Sequence, residues 1–364
     1  QQGTIMNKIN SVLEIQGKKI GKKHPVYFVA DVAANHDGDL GRAKELIYLA
    51  AEAGADAAKF QHFKAETIVS DYGFRKITGI KSHQTKWDRS VFDVYKDASV
   101  SLEWSETLKD TCNEAGIAFF TSAYAIDLVD YIDPYVPAYK IGSGDITWIE
   151  MIEHIAKKMK PYIIATGASE MDDVERAISA ALKINPMVCL MQCNTNYTAS
   201  LENFKYIQLN VLKIYSEMYP EMVIGLSDHT PGHSTVLGAV ALGARMIEKH
   251  FTDDITRNGP DHKFSMDPVA WRDMVDRTRE LENSLGNGIK NIEFNEKETV
   301  VLQRRSIRLN QDLDDKTPIK NEHLIVLRPC PKDALPPYEI ANIIGKRLRY
   351  SMKSGEHITW NDIK

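Results

Sequence analysis

The sequence predicts an α/β fold, a closed (β/α)8 barrel of the TIM type followed by a small β-rich domain. Three observations carry this. Short apolar, often β-branched runs alternate eight times with helical patterns between residues 26 and 290, as strands buried on both faces of a parallel barrel require. No G-x-G-x-x-G follows the first strand, which argues against an open dinucleotide-binding sheet. After residue 292 the pattern gives way to short strands, turns and a proline cluster (Pro329, Pro331, Pro336, Pro337), which reads as a separate domain.

The first strand is 26–33 (VYFVADVA), and helix 40–53 follows and stops at Gly54, a residue suited to a helix C-terminus. Strand 56–63 leads into a long polar insertion, 64–100, and then helix 102–115, stopped by Gly116. The remaining strand and helix pairs are 117–122 with 126–132, 138–142 with 148–158, 162–166 with 171–184, 187–193 with 201–218, 222–227 with 234–242, and 244–250 with 269–285. The expected division is an N-terminal extension 1–25, a barrel 26–290, a linking helix 291–302 and a terminal domain 303–364.

The 364 residues, 43% hydrophobic, suffice for one large and one small core. The net charge of -5 offers no global basic field for nucleic acid or an anionic membrane, so any anion site must be a local cluster. No apolar run approaches membrane-span length, and the first residues lack the apolar segment of a signal peptide. Cys112, Cys189, Cys193 and Cys330 form no C-x-x-C pair; they read as reduced thiols of a cytoplasmic protein, with Cys189 and Cys193 as small buried hydrophobes.

Chemistry on such a barrel belongs at the C-terminal ends of the strands, and every predicted strand ends in polar groups. They are Asp31, Asn35 and His36; Lys59, Gln61 and His62; Thr121 and Ser122; Lys140, Ser143 and Asp145; Thr166 and Gly167; Gln192, Asn194, Thr195 and Asn196; Ser227, Asp228 and His229; Glu248, Lys249 and His250. Buried charges cost several kcal/mol each unless paired or ligated, so this set points to a site. Period-two alternation puts Lys59 with Gln61, Ser227 with His229, and Glu248 with His250 on one face each. Lys59, Lys140 and the hydroxyls of Ser143, Thr166 and Ser227 suit a phosphate and a carboxylate. His229 and His250 end adjacent strands, where two imidazoles suit one divalent ion such as Mn, Zn, Fe or Co. Asp31, Asp145, Glu248 and Asp261 are the carboxylates available for acid–base work.

Five stretches together resemble the sialic acid synthase family, which includes legionaminic and pseudaminic acid synthases. They are Asn35-His36-Asp37-Gly38-Asp39, the run from Lys140 to Asp145 (KIGSGD), Gly225 to Thr230 (GLSDHT), Glu248 to Asp253 (EKHFTD), and Gly259-Pro260-Asp261 with Phe264-Ser265-Met266. Arg304-Arg305-Ser306, Arg328-Pro329, Ile344-Gly345-Lys346 and Gly355 resemble the antifreeze-like (SAF) domain that ends these synthases.

The resemblance implies condensation of phosphoenolpyruvate with an N-acylated amino sugar, such as N-acetylmannosamine or a 2,4-diacetamido-2,4,6-trideoxyhexose, with release of phosphate. It implies a divalent metal on His229 and His250, with Mn2+ first and Mg2+ or Co2+ as alternatives. Lys59, Lys140, Ser143 and Ser227 match phosphoenolpyruvate-binding positions. Gln61, Asp145, Tyr197 and Asp261 match the amino-sugar site, and Asp31 matches a glutamate that acts on water or sugar. Ser122, Thr166 and Asn194 complete the expected substrate-binding set. A domain-swapped homodimer is implied, in which Arg328 reaches the sugar in the partner's barrel. Asp31 and Asp145 stand where glutamate is usual, and Ala165 where a phosphate-binding serine is usual, which leaves Thr166 or backbone amides to serve. A metal-dependent aldolase on the same barrel is the other enzyme reading, but it has no use for two lysines.

Overall fold

The computed structural model describes residues 8–77 and 87–364, which divide into two compact units at Gly286/Asn287. The first unit opens with an antiparallel hairpin, β1 (Val12–Ile15) and β2 (Lys18–Gly21). Eight parallel strands follow: β3 (Tyr27–Asp31), β4 (Ala57–His62), β5 (Ala118–Ala123), β6 (Tyr139–Ile141), β7 (Tyr162–Ala165), β8 (Val188–Cys193), β9 (Val223–Asp228) and β10 (Met246–His250). Their order is β5-β4-β3-β10-β9-β8-β7-β6. The two ends of that ladder, β5 and β6, also lie side by side, so the sheet curls into a near-closed barrel.

Alternation along each strand builds two apolar layers. On β3, Phe28 and Ala30 face outward into a layer shared with helix residues such as Leu46, Ile47, Met274 and Trp271. Tyr27 and Val29 face inward with Ala57, Phe120, Ile163, Cys189, Val223 and Met246. Leu13, Ile15 and Ile20 of the hairpin belong to this inner core and are at most 1% exposed. The hairpin 12–21, part of the segment 1–25 expected only as an extension, therefore contributes a plug to the barrel interior. Its signal was the apolar alternation of Leu13 and Ile15, too short by itself to separate a hairpin from a loop.

The insertion after β4 carries helices Ala65–Ile68, Asp71–Lys76 and Val91–Ala98. Ser70 and Ser90 cap the last two by accepting backbone N–H groups. Part of the predicted polar insertion, 78–86, lies outside the described residues. The predicted helix 201–218 is two pieces, a 3-10 turn Leu201–Tyr206 and a helix Val211–Met218. Gln208 between them has left-handed backbone (φ 55°), which breaks the helical run.

The second unit has helix Lys297–Gln303 and an antiparallel pair, β11 (Ser306–Leu309) and β12 (Leu324–Leu327). Its own core gathers Ile307, Leu309, Ile319, Leu335, Ile343, Leu348 and Ile358. Among the described residues, no helix is long and apolar enough to cross a membrane.

Candidate active site

A cavity of about 420 Å³ opens at the C-terminal ends of the barrel strands. All three period-two pairs line it: Lys59 with Gln61, Ser227 with His229, and Glu248 with His250. Asp31, Ser122, Lys140, Ser143, Asp145, Tyr197 and Asp261 line it too.

Four buried charges form its floor. The Glu248 carboxylate accepts from Lys140 Nζ at 2.6 Å and stands 3.3 Å from Lys59 Nζ. Lys59 Nζ also lies 3.1 Å from Asp31 Oδ2. Burial would neutralise Glu248, but Lys140 and Lys59 outweigh it and hold the carboxyl down to about 2. Burial likewise opposes the charge on Lys59, yet Asp31 and Glu248 raise its ammonium above the ordinary lysine range. Asp31 responds chiefly to burial and is pushed up to about 6 despite Lys59. Burial also raises Asp145 and Asp261 to about 6. Asp261 Oδ2 accepts the Ala34 N–H at 3.0 Å, which ties the loop after β10 to the loop after β3.

The two histidines meet as the sequence predicts, with ring centroids 5.2 Å apart. His229 Nδ1 lies 3.1 Å from the Asn194 carbonyl oxygen. A carbonyl oxygen can only accept, so Nδ1 carries the proton and donates it in this contact, which leaves the Nε2 lone pair free to ligate a cation. Burial, reinforced by His250, holds His229 down to about 3, so the ring is neutral at neutral pH. His250 Nε2 is 3.4 Å from Asp31 Oδ2. Tyr197 packs edge-on against His229 at 4.2 Å, and Phe264 packs against His250 at 4.9 Å. Two imidazoles beside a carboxylate fit a divalent cation completed by oxygen ligands from water or substrate. Among the described residues, no group of three or more His, Cys, Asp or Glu side chains is placed to hold a metal ion.

Several sequence-predicted residues stand elsewhere. Thr166 was expected to bind substrate, but its hydroxyl donates to the Met191 carbonyl at 2.8 Å and accepts from Tyr215 at 2.8 Å. It does not line the cavity; Ala165, facing the other way, does. The Asn194 side chain is also off the cavity, with Nδ2 donating to the Tyr206 carbonyl at 3.3 Å, while its main chain orients His229. His62 is held between Thr121 Oγ1 at 2.6 Å and Ser105 Oγ at 2.8 Å, facing away from the cavity. Asp228 and Lys249 pair with each other at 3.1 Å, fully buried. Arg328 is an exposed residue directly after β12 in the second unit.

Sequence reasoning missed three contributors. Cys193, read as a small buried hydrophobe, is buried but also lines the cavity near Ser143, Ser227 and Thr195. Tyr124 lines it one residue beyond β5, its phenol raised by burial. The insertion supplies a whole apolar wall, including Phe63, Phe74 and Val94. Gly167 has a steric role: a Cβ there would fall 1.8 Å from Thr195 Oγ1, and its N–H donates to Ser143 Oγ at 2.8 Å.

The NeuB family pattern matches residues 46–290 and the SAF domain pattern matches residues 304–364. N,N'-diacetyllegionaminic acid synthase of Legionella pneumophila is 35% identical over 363 residues, 98% of each chain. Human N-acetylneuraminate-9-phosphate synthase is 30% identical over 345 residues, 94% of each chain. A crystal structure of N-acetylneuraminic acid (sialic acid) synthetase from Leptospira borgpetersenii, in complex with citrate, is 28% identical with a TM-score of 0.69. It covers 80% of this chain and 96% of its own.

Proposed function

This chain belongs to the NeuB family and ends in an SAF domain, and from that premise we infer that it is a nonulosonic acid synthase. It is a transferase that joins phosphoenolpyruvate to an open-chain N-acylated amino sugar and releases phosphate by C–O cleavage. Relatives of this chain are named as synthases of N,N'-diacetyllegionaminic acid and of N-acetylneuraminate 9-phosphate, and the amino sugars considered for this chain are N-acetylmannosamine and 2,4-diacetamido-2,4,6-trideoxyhexoses.

The observation that carries the reading is the placement of a two-lysine cluster and a histidine pair in one cavity. The ammonium groups of Lys59 and Lys140, with the hydroxyls of Ser143 and Ser227, receive the carboxylate and phosphate of phosphoenolpyruvate. Gln61, Ser122, Asp145, Tyr197 and Asp261 surround the sugar. C3 of phosphoenolpyruvate attacks the aldehyde carbon, water adds at C2, and the C2–O bond to phosphate breaks. Asp31, next to Lys59, orients that water and accepts its proton. Lys59 and Lys140 offset the charge that collects on the departing phosphate.

His229 and His250 are the residues that would hold a divalent metal, Mn2+ in the first instance, and synthases of this family are generally metal-dependent. The chemistry that an ion held there would supply is Lewis-acid polarisation of the aldehyde oxygen. The SAF domain presents Arg328 to the sugar in the barrel of a partner copy, in a domain-swapped homodimer. The four free cysteines support a cytoplasmic location.

Phosphate release from phosphoenolpyruvate, followed with Mn2+ and each sugar in turn, tests the reading. Release that requires a sugar and stops on chelation is the expected result. No release with any N-acyl amino sugar from folded, metal-loaded protein would overturn it.

A further inference from the structure

Two loops at the C-terminal end of the barrel are fastened to each other by side chains that do not line the cavity. The first follows β3 and carries Asn35 and Asp37; the second follows β10 and runs from Phe251 to Met266. Asn35 Nδ2 donates to the Phe251 carbonyl at 2.8 Å and to Ser265 Oγ at 2.9 Å. Arg42 donates to the two oxygens of Asp253 at 3.0 and 3.1 Å and to the Asn35 carbonyl at 2.9 Å.

Between the loops lies His262, a fully buried ring. Its Nε2 is 2.8 Å from Asp37 Oδ1 and its Nδ1 is 2.8 Å from Thr252 Oγ1. A carboxylate only accepts, so Nε2 carries a proton and donates it to Asp37. The other Asp37 oxygen accepts from Arg257 Nε at 3.0 Å. Asp37 has left-handed backbone (φ 52°), a conformation that a residue with a Cβ keeps where its surroundings fix it. The second loop closes over the ring at Gly259, where a Cβ would fall 2.7 Å from His262 Cδ2.

The residue before His262 is Asp261, the carboxylate of this loop that lines the cavity. Asp261 is the N-cap of the 3-10 turn His262–Phe264. Its Oδ2 accepts the Ala34 N–H at 3.0 Å and its carbonyl accepts from Ser265 Oγ at 2.6 Å. A ring pinned at both nitrogens fixes the peptide between residues 261 and 262, and with it the point from which the Asp261 side chain enters the cavity.

We propose that His262 is a positioning residue: pinned between Asp37 and Thr252, it sets the Asp261 carboxyl where the amino sugar binds, without touching substrate itself. This inference rests on the synthase reading and adds two residues, His262 and Asp37, to the support of that site.

The test uses the full-length protein with Mn2+, saturating phosphoenolpyruvate and whichever N-acyl amino sugar the parent turns over. Misplacing a binding group by about 1 Å costs up to about 100-fold, so His262→Ala should raise the sugar KM by about 10- to 100-fold. The KM for phosphoenolpyruvate should stay at the parent value. His262→Gln, whose amide N–H can replace the ring donor toward Asp37, should recover most of the loss. Asp37→Ala, at the more exposed end of the pair, should raise the sugar KM in the same way and serves where His262→Ala fails to fold. The double variant should be no worse than the worse single one, because both break one contact. Hydrogen exchange at the Ala34 amide, which Asp261 protects, should quicken in both single variants. An unchanged sugar KM, equal rises in the KM of both substrates, or additive losses in the double variant would overturn the proposal, and so would a His262→Gln no better than His262→Ala. Unchanged exchange at Ala34 would overturn it independently of turnover. A parent that releases no phosphate with any N-acyl amino sugar would instead overturn the synthase reading, and the effect on sugar with it.

Discussion

Lys140 and Glu248 meet at 2.6 Å on the cavity floor, although 108 residues separate them in the chain. Each side chain is only 4% exposed. The second oxygen of Glu248 faces Lys59 at 3.3 Å, so a single carboxylate holds both lysines in place. An anion-binding pair of ammonium groups would otherwise repel itself at this depth.

Lys140→Met should cost about 3–5 kcal/mol of unfolding free energy, because it strips a buried carboxylate of its nearest partner. Phosphate release should fall by more than about 100-fold. Adding Glu248→Leu should restore much of the stability and none of the activity. Urea denaturation and turnover measured on the same preparations separate the two effects.

Asp261 is predicted to trade stability for function. Its carboxyl is raised by burial to about 6, above the unfolded value of 3.8 that it would otherwise have. Between roughly pH 4 and pH 6 the fold holds a proton that the unfolded chain has lost, so this contribution makes stability fall as pH rises. Asp261→Asn should therefore be more stable than the parent by about 1–3 kcal/mol at pH 7–8, with the difference vanishing below about pH 4. The Asn carbonyl can still accept the Ala34 N–H. Denaturation at a series of pH values, with sugar KM measured in parallel, checks both halves.

Chelation should abolish phosphate release, and Mn2+ should restore it. His229→Ala should lower turnover by more than about 100-fold while far-ultraviolet circular dichroism stays unchanged. Near-parent turnover in His229→Ala would remove the metal assignment.

Lys249→Ala should be among the most destabilising single changes in the barrel, at about 3–5 kcal/mol. Lys249 Nζ donates to the carbonyls of Thr230 at 2.7 Å and Gly232 at 2.6 Å and pairs with Asp228, all on the far side of the strands from the cavity. Burial opposes the charge on Asp228, but Lys249 and the hydroxyls of Thr230 and Thr235 outweigh it and keep the carboxyl below its usual range. The loss should register in the thermal midpoint even with metal bound.

The barrel and the inward set were legible because both follow from local periodicity. Alternation along a strand decides which side chains share a face, so Lys59 with Gln61, Ser227 with His229 and Glu248 with His250 could be placed before any coordinates. Termini of buried strands are poor places for idle charge, and about half of the strand-end polar residues, Asp31, Lys59, Lys140 and Glu248 among them, line one cavity. The same rule read one residue out of phase explains Thr166: its neighbour Ala165 faces the cavity, and Thr166 turns to Met191 and Tyr215.

From the sequence alone came the eight-fold strand and helix alternation, the two lysines and two histidines at the strand ends, and a separate terminal domain. Only the tertiary structure decided which charges neutralise one another, that residues 12–21 plug the barrel, and that the insertion forms an apolar wall. The reason is distance along the chain. Periodicity reports a residue's face within its own element, whereas pairing between β6 and β10, or between an insertion and a cavity, depends on how the sheet closes.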